Sequence, residues 1–416
     1  MTDLIIVNNR DRCRLCECND LERVFQLTPT PPANAFVPPK KLSIVQKCFP
    51  LDVYQCVNCS HVQLLIVIDP EYLFQDYVYV SGTSPVFVKH FKEYAESIVS
   101  YFGIPKDSFI VDIGSNDGTL LKFFQDYGMR VLGIDPAIEI AKKANEEGIE
   151  TLPLFFGNEL ACNIRDERGP ATVIAANNVF AHSDNLIGFA QAVRELLAWD
   201  GVFVFEVSYL VDVYERVLFD MTYHEHLSYH LVHPLQSFFE TQGLQLIESI
   251  RVDTHGGSLR GIVQLAGGPR KVGKSVSDLV RLESKLELDK PETLKLFGNR
   301  IDELGKKLQK LIRDLKSNGK SIAGYGAPAK ATTLMYHFGL GPDILDFIVD
   351  DSPLKQGLYS PGLHIPVLPS SALYEKNPDY VLILAWNFAD TIINNNQAYS
   401  KANGEFIIPL PTIQVR

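Results

Sequence analysis

The stretch VDIGSNDGTLLKFF, residues 111–124, decides the fold. With Phe109 and Ile110 before it, it opens as a short apolar run of the length of a buried strand. Gly114 and Gly118 then let the backbone turn tightly, and Leu120, Leu121, Phe123 and Phe124 begin the apolar face of a helix. A second apolar run ends at Gly133-Ile134-Asp135. An acidic side chain thus follows the first loop by about 20 positions, the layout of a nucleoside-binding βαβ unit. The loop reads G-S-N-D-G and lacks the G-x-G-x-x-G pattern that brings a backbone close to a pyrophosphate. A loop carrying Asp112 and Asp117 suits a cationic ligand without phosphate. S-adenosylmethionine is such a ligand, with a positive sulfonium and ammonium, and Asp135 is placed to accept from both ribose hydroxyls.

Working outward, residues 71–250 alternate strand-like runs with helical periodicity: Phe109–Ile113, Val131–Ile134, Thr172–Ala175 and Val202–Val207. That alternation predicts an α/β domain with a largely parallel sheet covered on both faces. Ligands of such sheets bind outside the carboxyl ends of the strands. Those ends supply Asp112, Gly114, Ser115, Asn116 and Gly118, then Asp135, then Asn177 and Asn178, then Glu206. The two asparagine amides suit the amino-acid end of the donor. Phe155 and Phe156 either flank its adenine or belong to the core.

Residues 1–70 are proline-rich and cysteine-bearing, with short strands around Phe49–Tyr54 and Val62–Val67; the prolines of Thr28–Phe36 exclude a helix there. Cys13-Arg-Leu-Cys16 and Cys56-Val-Asn-Cys59 form two C-x-x-C pairs. Each presents two thiolates from one turn, and two such turns complete a closed, structural zinc site. His61 could replace a thiolate and is otherwise expected at the surface. Cys18, Cys48 and Cys162 are expected as packing residues. Metal spacing in place of disulfides fits a reducing cytoplasm.

The 416-residue length predicts two or three domains. A net charge of −11 argues against nucleic acid as a partner. No apolar run reaches the roughly 18 residues of a membrane span, and the N-terminus has no secretory pattern. Residues 251–416 form the third part. Strands are expected at Glu248–Asp253 and Gly261–Ala266, and a helix pair over residues 275–318 broken near Pro291. A second strand–turn–helix unit follows, Gly324-Tyr325-Gly326-Ala327-Pro328-Ala329-Lys330, with Asp350 ending the next strand. By spacing alone this is an NAD site and admits a two-domain dehydrogenase. Pro328 argues against that, because it removes an amide where a pyrophosphate would seek one.

Thr222 to His230, TYHEHLSYH, gathers three His, two Tyr and a Glu in nine residues. H-E-H is too short for the H-E-x-x-H zinc motif. Convergence of titratable groups near the expected donor pocket favours acid–base work.

With these motifs in hand, the chain resembles the sugar C-methyltransferases that act on nucleotide-linked 4-keto-6-deoxy sugars. The resemblance covers nearly the whole length. It rests on C-R-x-C and C-x-x-C before HVQL, then Y-x-Y-x-S-G-T-S, GSNDG, NVFAH, YHEHLSY, HGGSLR and GYGAPAK. It implies an N-terminal zinc module (1–70), a Rossmann-like S-adenosylmethionine domain (71–250) and a C-terminal α/β domain (251–416) that helps hold the nucleotide sugar. Carried over, Tyr77, His182, Tyr223, Glu225 and His226 match the family's active-site positions. Lys330, Tyr325 and the helix N-terminus beside them would hold the sugar nucleotide, of dTDP or GDP type, unless Lys330 is only a solvent-exposed helix residue. His255, Ser258 and Arg260 would contact it, unless HGGSLRG is only a tight turn. Asp112 departs from the family, where glutamate is more frequent, but keeps the charge. The chemistry expected is removal of the C3 proton beside the C4 ketone, with His226 as first choice of base, then attack on the sulfonium methyl. Tyr223 would donate to the enolate oxygen or share the base role, Glu225 would orient a neighbour, and Tyr77 and His182 would position the sugar. A zinc adaptor that merely binds S-adenosylmethionine, and an O- or N-methyltransferase, are the remaining alternatives. Each domain is complete by itself on this reading, which fits a monomer.

Overall fold

The computed structural model describes residues 6–74, 82, 85–254 and 256–416. At its centre is a seven-stranded sheet. From one edge the order is Thr151–Leu152, Arg130–Ile134, Phe109–Ile113, Ala171–Asn177, Leu197–Ser208, Ser258–Leu265 and Leu244–Val252. The first five are parallel, and Ser258–Leu265 runs antiparallel to both neighbours. The chain enters at Phe109–Ile113, winds outward on one side, then returns to Ala171–Asn177 and winds outward on the other. The crevice between those two central strands is the topological switch point where such sheets bind ligands.

Every residue of Phe109–Ile113 is buried, as a strand covered on both faces requires. Val111 and Ile113 join Ile174, Phe203 and Phe205 in one core. Ile110 faces the other way, into Tyr94 and Ile98 of helix Pro85–Phe102 and Leu121 and Phe124 of helix Thr119–Asp126. The expected strands and loop are in place. Ser258–Leu265, which follows the expected boundary at residue 250, pairs within this same sheet.

The N-terminal module carries a four-stranded antiparallel sheet in the order Ser228–Tyr229, Val62–Leu64, Phe49–Cys56, Leu21–Thr30. Its edge strand comes from the middle of the chain: Ser228 pairs with Gln63 and Tyr229 with Val62. The His–Tyr segment is therefore part of the zinc module's sheet. On the opposite edge, Phe25 meets Phe297 edge-on at 5.7 Å between ring centroids. Gly298 leaves room for that approach, since a Cβ there would lie 2.6 Å from Phe25 Cβ.

Helices Lys274–Lys285 and Pro291–Ser317 lead into the last part, with Pro291 opening the second helix at a position that needs no amide donor. A six-stranded sheet follows, in the order Val367–Leu368, Ile348–Val349, Ile322–Tyr325, Tyr380–Ile383, Glu405–Ile408, Gln414–Val415, parallel except for its last pair. Among the described residues no helix is long and apolar enough to cross a membrane.

Candidate active site

The four paired cysteines converge, their Sγ atoms all within 4.8 Å of one another. Two identical turns build the cluster. Cys13 N–H donates to Cys18 O and Glu17 N–H to Cys13 O; Cys56 N–H donates to His61 O and Ser60 N–H to Cys56 O. Glu17 and Ser60 take the left-handed backbone that closes each turn. Cys13 Sγ lies 3.5 Å from Cys59 Sγ and Cys16 Sγ 3.5 Å from Cys56 Sγ. Four soft donors at this spacing fit a tetrahedral zinc ion. His61 is neither a ligand nor at the surface. It is fully buried, with Nε2 3.2 Å from Ser228 Oγ. Cys48 and Cys162 are exposed, not packed, whereas Cys18 is partly buried against the core.

A cleft of about 640 Å³ opens at the switch point, and all three parts of the chain line it. Its floor is the Gly114-Ser115-Asn116 part of the GSNDG loop. Gly114, Asn116 and Gly118 all have positive φ, which glycine and asparagine tolerate, and Asn178 does the same after the next central strand. Asp135 Oδ2 accepts from Asn116 N–H and Oδ1 from Ala137 N–H, each at 2.9 Å, so the second strand's carboxylate fixes the first loop. Burial, and the neighbouring Asp135 charge, hold the Asp112 carboxyl well above the usual carboxylate range. Burial raises Asp135 as well. Among the described residues the Asn177 side-chain amide and Ser115 Oγ, both buried, have no hydrogen-bond partner, and both residues line the cleft. Two desolvated acids beside orphaned polar groups fit S-adenosylmethionine, whose positive charges would favour their ionised forms. Phe155 is exposed at the rim and Phe156 packs edge-on against Phe189, both within reach of the cleft. Gly118 and Asp117 do not line it. Asp117 instead accepts from Thr119 Oγ1 at 2.6 Å and from Gly82 N–H at 2.8 Å, pinning the helix start.

The next wall carries the His–Tyr cluster. Tyr223 Oη lies 2.8 Å from His226 Nε2, and His226 Nδ1 lies 2.8 Å from Met221 O. Because a carbonyl only accepts, Nδ1 carries a proton, and in the neutral ring Nε2 is then the acceptor for the tyrosine hydroxyl. The His226 ring stacks on His182 at 5.1 Å, and His182 stacks on Phe74 at 5.5 Å. Glu225 accepts from Asn34 Nδ2 at 2.9 and 3.1 Å. His224 and His230 are structural: burial drops them to about 4 and about 3, so both stay neutral.

The far wall belongs to the C-terminal part. Lys330 is buried, with Nζ 3.6 Å from Asp220 Oδ2 and 4.2 Å from the centre of the Trp386 ring, whose Nε1 donates to Asp220 at 2.6 Å. Burial lowers the Lys330 ammonium and also Lys355, whose Nζ donates to Ala327 O. Both lysines line the cleft. Asp350 accepts from Ala327 N–H at 2.6 Å and Ser352 N–H at 2.8 Å, repeating the pattern of Asp135 in the first half. Ser258, Arg260 and Tyr325 do not line the cleft. Arg260 instead pairs with Glu206, which does not line the cleft either, Ser258 Oγ donates to Thr254 O, and Tyr325 Oη accepts from Asn396. Tyr77 and His255 lie outside the described residues. The residues that sequence reasoning missed are Asn34, Asp184, Asp220 and Lys355; none stands in a patterned motif, and each reaches the cleft or its partner only through long-range packing.

Three family models match in order along the chain. They describe a zinc binding domain over residues 13–74, a methyltransferase domain over 87–249 and a C-methyltransferase C-terminal domain over 253–411. The C-methyltransferase NovU of Streptomyces niveus is 34% identical over 410 residues, covering 99% of this chain and 98% of its own length. Among solved structures, magnesium protoporphyrin IX methyltransferase from Synechocystis PCC 6803 is 13% identical, covering 43% of this chain and 80% of its own, at a TM-score of 0.32. An S-adenosylmethionine-dependent methyltransferase from Clostridium acetobutylicum is 14% identical, covering 43% and 92%, at 0.35. The full-length relative, with the three domains in the same succession as the zinc cluster, donor floor and closing wall, shows that this chain belongs to the S-adenosylmethionine-dependent C-methyltransferases.

Proposed function

We propose that the chain methylates C3 of a nucleotide-linked 4-keto-6-deoxy sugar. The observation that carries this reading is the Tyr223–His226 pair, set between a floor suited to a cationic methyl donor and a wall bearing two buried lysines. Carbon must lose a proton before it can attack a methyl group, and a ketone next to it makes that loss feasible. Met221 O fixes His226 so that Nε2 draws on the Tyr223 hydroxyl. A proton taken from C3 by this pair ends on it, either directly on His226 or through the tyrosine oxygen. The electron pair of the broken C–H bond becomes the enolate, with charge on the C4 oxygen. Bound S-adenosylmethionine supplies the electrophilic methyl: as the C3–CH3 bond forms, the S–CH3 bond breaks and its electrons stay on sulfur, while the C4 ketone returns.

Lys330 and Lys355 suit the diphosphate of the nucleotide, which needs cations held out of bulk water. His182 braces the His226 ring, and Glu225, held by Asn34, is assigned to orienting a neighbour. The dehydrogenase and adaptor readings give no role to this acid–base pair beside a methyl-donor floor.

The test is NMR and mass spectrometry of a nucleotide 4-keto-6-deoxy sugar incubated with enzyme and S-adenosylmethionine in deuterated water. The expected product carries a new methyl on C3, and His226→Ala abolishes it. No methyl and no deuterium at C3, with dTDP and GDP sugars alike, would sink the proposal. Methylation at oxygen or nitrogen would sink it too.

A further inference from the structure

Arg14 stands between Cys13 and Cys16, inside the first zinc turn, yet its side chain is fully buried. A buried guanidinium is expensive unless each of its donors meets an acceptor. Here the acceptors are informative. Arg14 Nε donates to Asp184 Oδ1 at 3.0 Å, and Nη1 to Gln63 Oε1 at 3.0 Å, to Leu64 O, and to Leu227 O at 3.4 Å; Nη2 lies 3.0 Å from the same Asp184 oxygen as an ion pair, with no hydrogen bond of its own among the described residues. Asp184 is two residues after His182, and Leu227 directly follows His226. Those two segments also touch each other, through Leu227 N–H to Ala181 O at 3.0 Å. The guanidinium, the 181–184 turn and residue 227 therefore close a ring of hydrogen bonds behind the stacked imidazoles of His182 and His226.

We propose that Arg14 is a positioning residue for methyl transfer: it ties the cysteine cluster to the turns carrying both histidines. The planar fork of arginine reaches acceptors on three separate segments at once, which a lysine ammonium on a flexible stem does not reproduce. The proposal rests on the assignment of Tyr223 and His226 as the acid–base pair. It goes beyond that assignment by giving the N-terminal module a part in the geometry of the reaction.

The experiment compares Arg14→Met and Arg14→Lys with the parent chain, all in the zinc-loaded form. Four readouts are taken: zinc per chain, S-adenosylmethionine affinity, kcat and KM for the keto sugar nucleotide, and the ring NMR signals of His182 and His226 without substrate. Zinc content and donor affinity should stay at the parent values, because Arg14 is not a thiolate ligand and its hydrogen bonds and ion pair go to Gln63, Leu64, Asp184 and Leu227, outside the GSNDG loop. Both ring signals should move, and kcat should fall about 10- to 100-fold with little change in KM, the cost of misplacing a reacting group. Arg14→Lys should recover only part of the rate. Unchanged ring signals and kcat would overturn the proposal, as would loss of rate only in proportion to lost zinc. Should Arg14→Met fail to fold, Asp184→Asn removes the partner charge at constant shape. It should move the His182 signal in the same way, and in combination with Arg14→Lys its effect on kcat should be less than the product of the two; independent effects overturn the proposal. A parent chain inactive on every keto sugar nucleotide would refute the substrate reading, while the ring signals would still decide the role of Arg14.

Discussion

At the residue scale, the proposed donor pocket includes a carboxyl group held at a cost to the free protein. Asp112 is buried beside Asp135, and both effects raise its proton affinity. In the unfolded chain it titrates as an ordinary carboxylate. Between that ordinary value and its raised value in the fold, the folded state holds a proton that the unfolded state has lost. Stability therefore falls as pH rises through this window, and the loss is complete above the raised value. A bound cation reverses the balance by favouring the charged form. Asp112→Asn should accordingly raise the melting temperature of the free protein at neutral pH and flatten its pH dependence. It should also weaken S-adenosylmethionine by about 10-fold or more, the worth of a hydrogen bond or ion contact to a charged group. Calorimetry with and without donor reads both effects, and a variant that melts lower with donor affinity intact would contradict the assignment.

At the element scale, the turn from Phe109–Ile113 into helix Thr119–Asp126 depends on Gly114. Its φ is +69°, and a Cβ there would lie 2.2 Å from Val179 Cγ2, on the loop after the neighbouring strand. Gly114→Ala should thus both strain the backbone, by about 1–2 kcal/mol, and push apart the two loops that form the proposed donor floor. Donor affinity should drop more than stability does. Adding Val179→Ala should restore part of the affinity, since it relieves the contact and leaves the backbone strain. Isothermal titration of the single and double variants checks this, and no recovery in the double variant would place the damage in the backbone alone. This unit was legible in sequence because its signals are local: an apolar run, two glycines, a helical face, and an acid one strand later. The paired C-x-x-C turns were legible for the same reason. What sequence reading missed lies in contacts between residues far apart. Nothing near Ser228 or Tyr229 indicates that they extend the zinc module's sheet at Val62 and Gln63. Nothing near Arg260 shows that it serves Glu206 and not a ligand inside the pocket. A strand pairing across more than 160 residues leaves no period in either segment, and a buried arginine reads in sequence like an exposed one.

At the scale of the whole molecule, the three parts are joined too closely to act as beads on a string. Strand Leu21–Thr30 packs on helix Pro291–Ser317 through Phe25 and Phe297. Thr332 Oγ1 donates to Ala33 O at 3.0 Å and Thr333 Oγ1 to Thr222 O at 2.7 Å, so helix Ala329–Phe338 clamps both the N-terminal loop and the His–Tyr segment. Leu64 N–H donates to Leu227 O at 3.0 Å, which sews that segment to the zinc module. A structural zinc site contributes folding free energy of about 10 kcal/mol or more in small modules, comparable to the total stability of about 5–15 kcal/mol of a typical domain. Metal removal should therefore do more than loosen residues 13–64. Hydrogen exchange followed by mass spectrometry, before and after treatment with a strong chelator, should show peptides covering 13–64 and 226–230 losing protection together. Peptides over Phe109–Ile113 and Ala171–Asn177, which owe their bonds to the central sheet, should keep theirs. If 226–230 stays protected while 13–64 opens, the His–Tyr segment is held by the central and C-terminal parts alone. If the central strands open as well, the chain unfolds as one cooperative unit with the metal at its root.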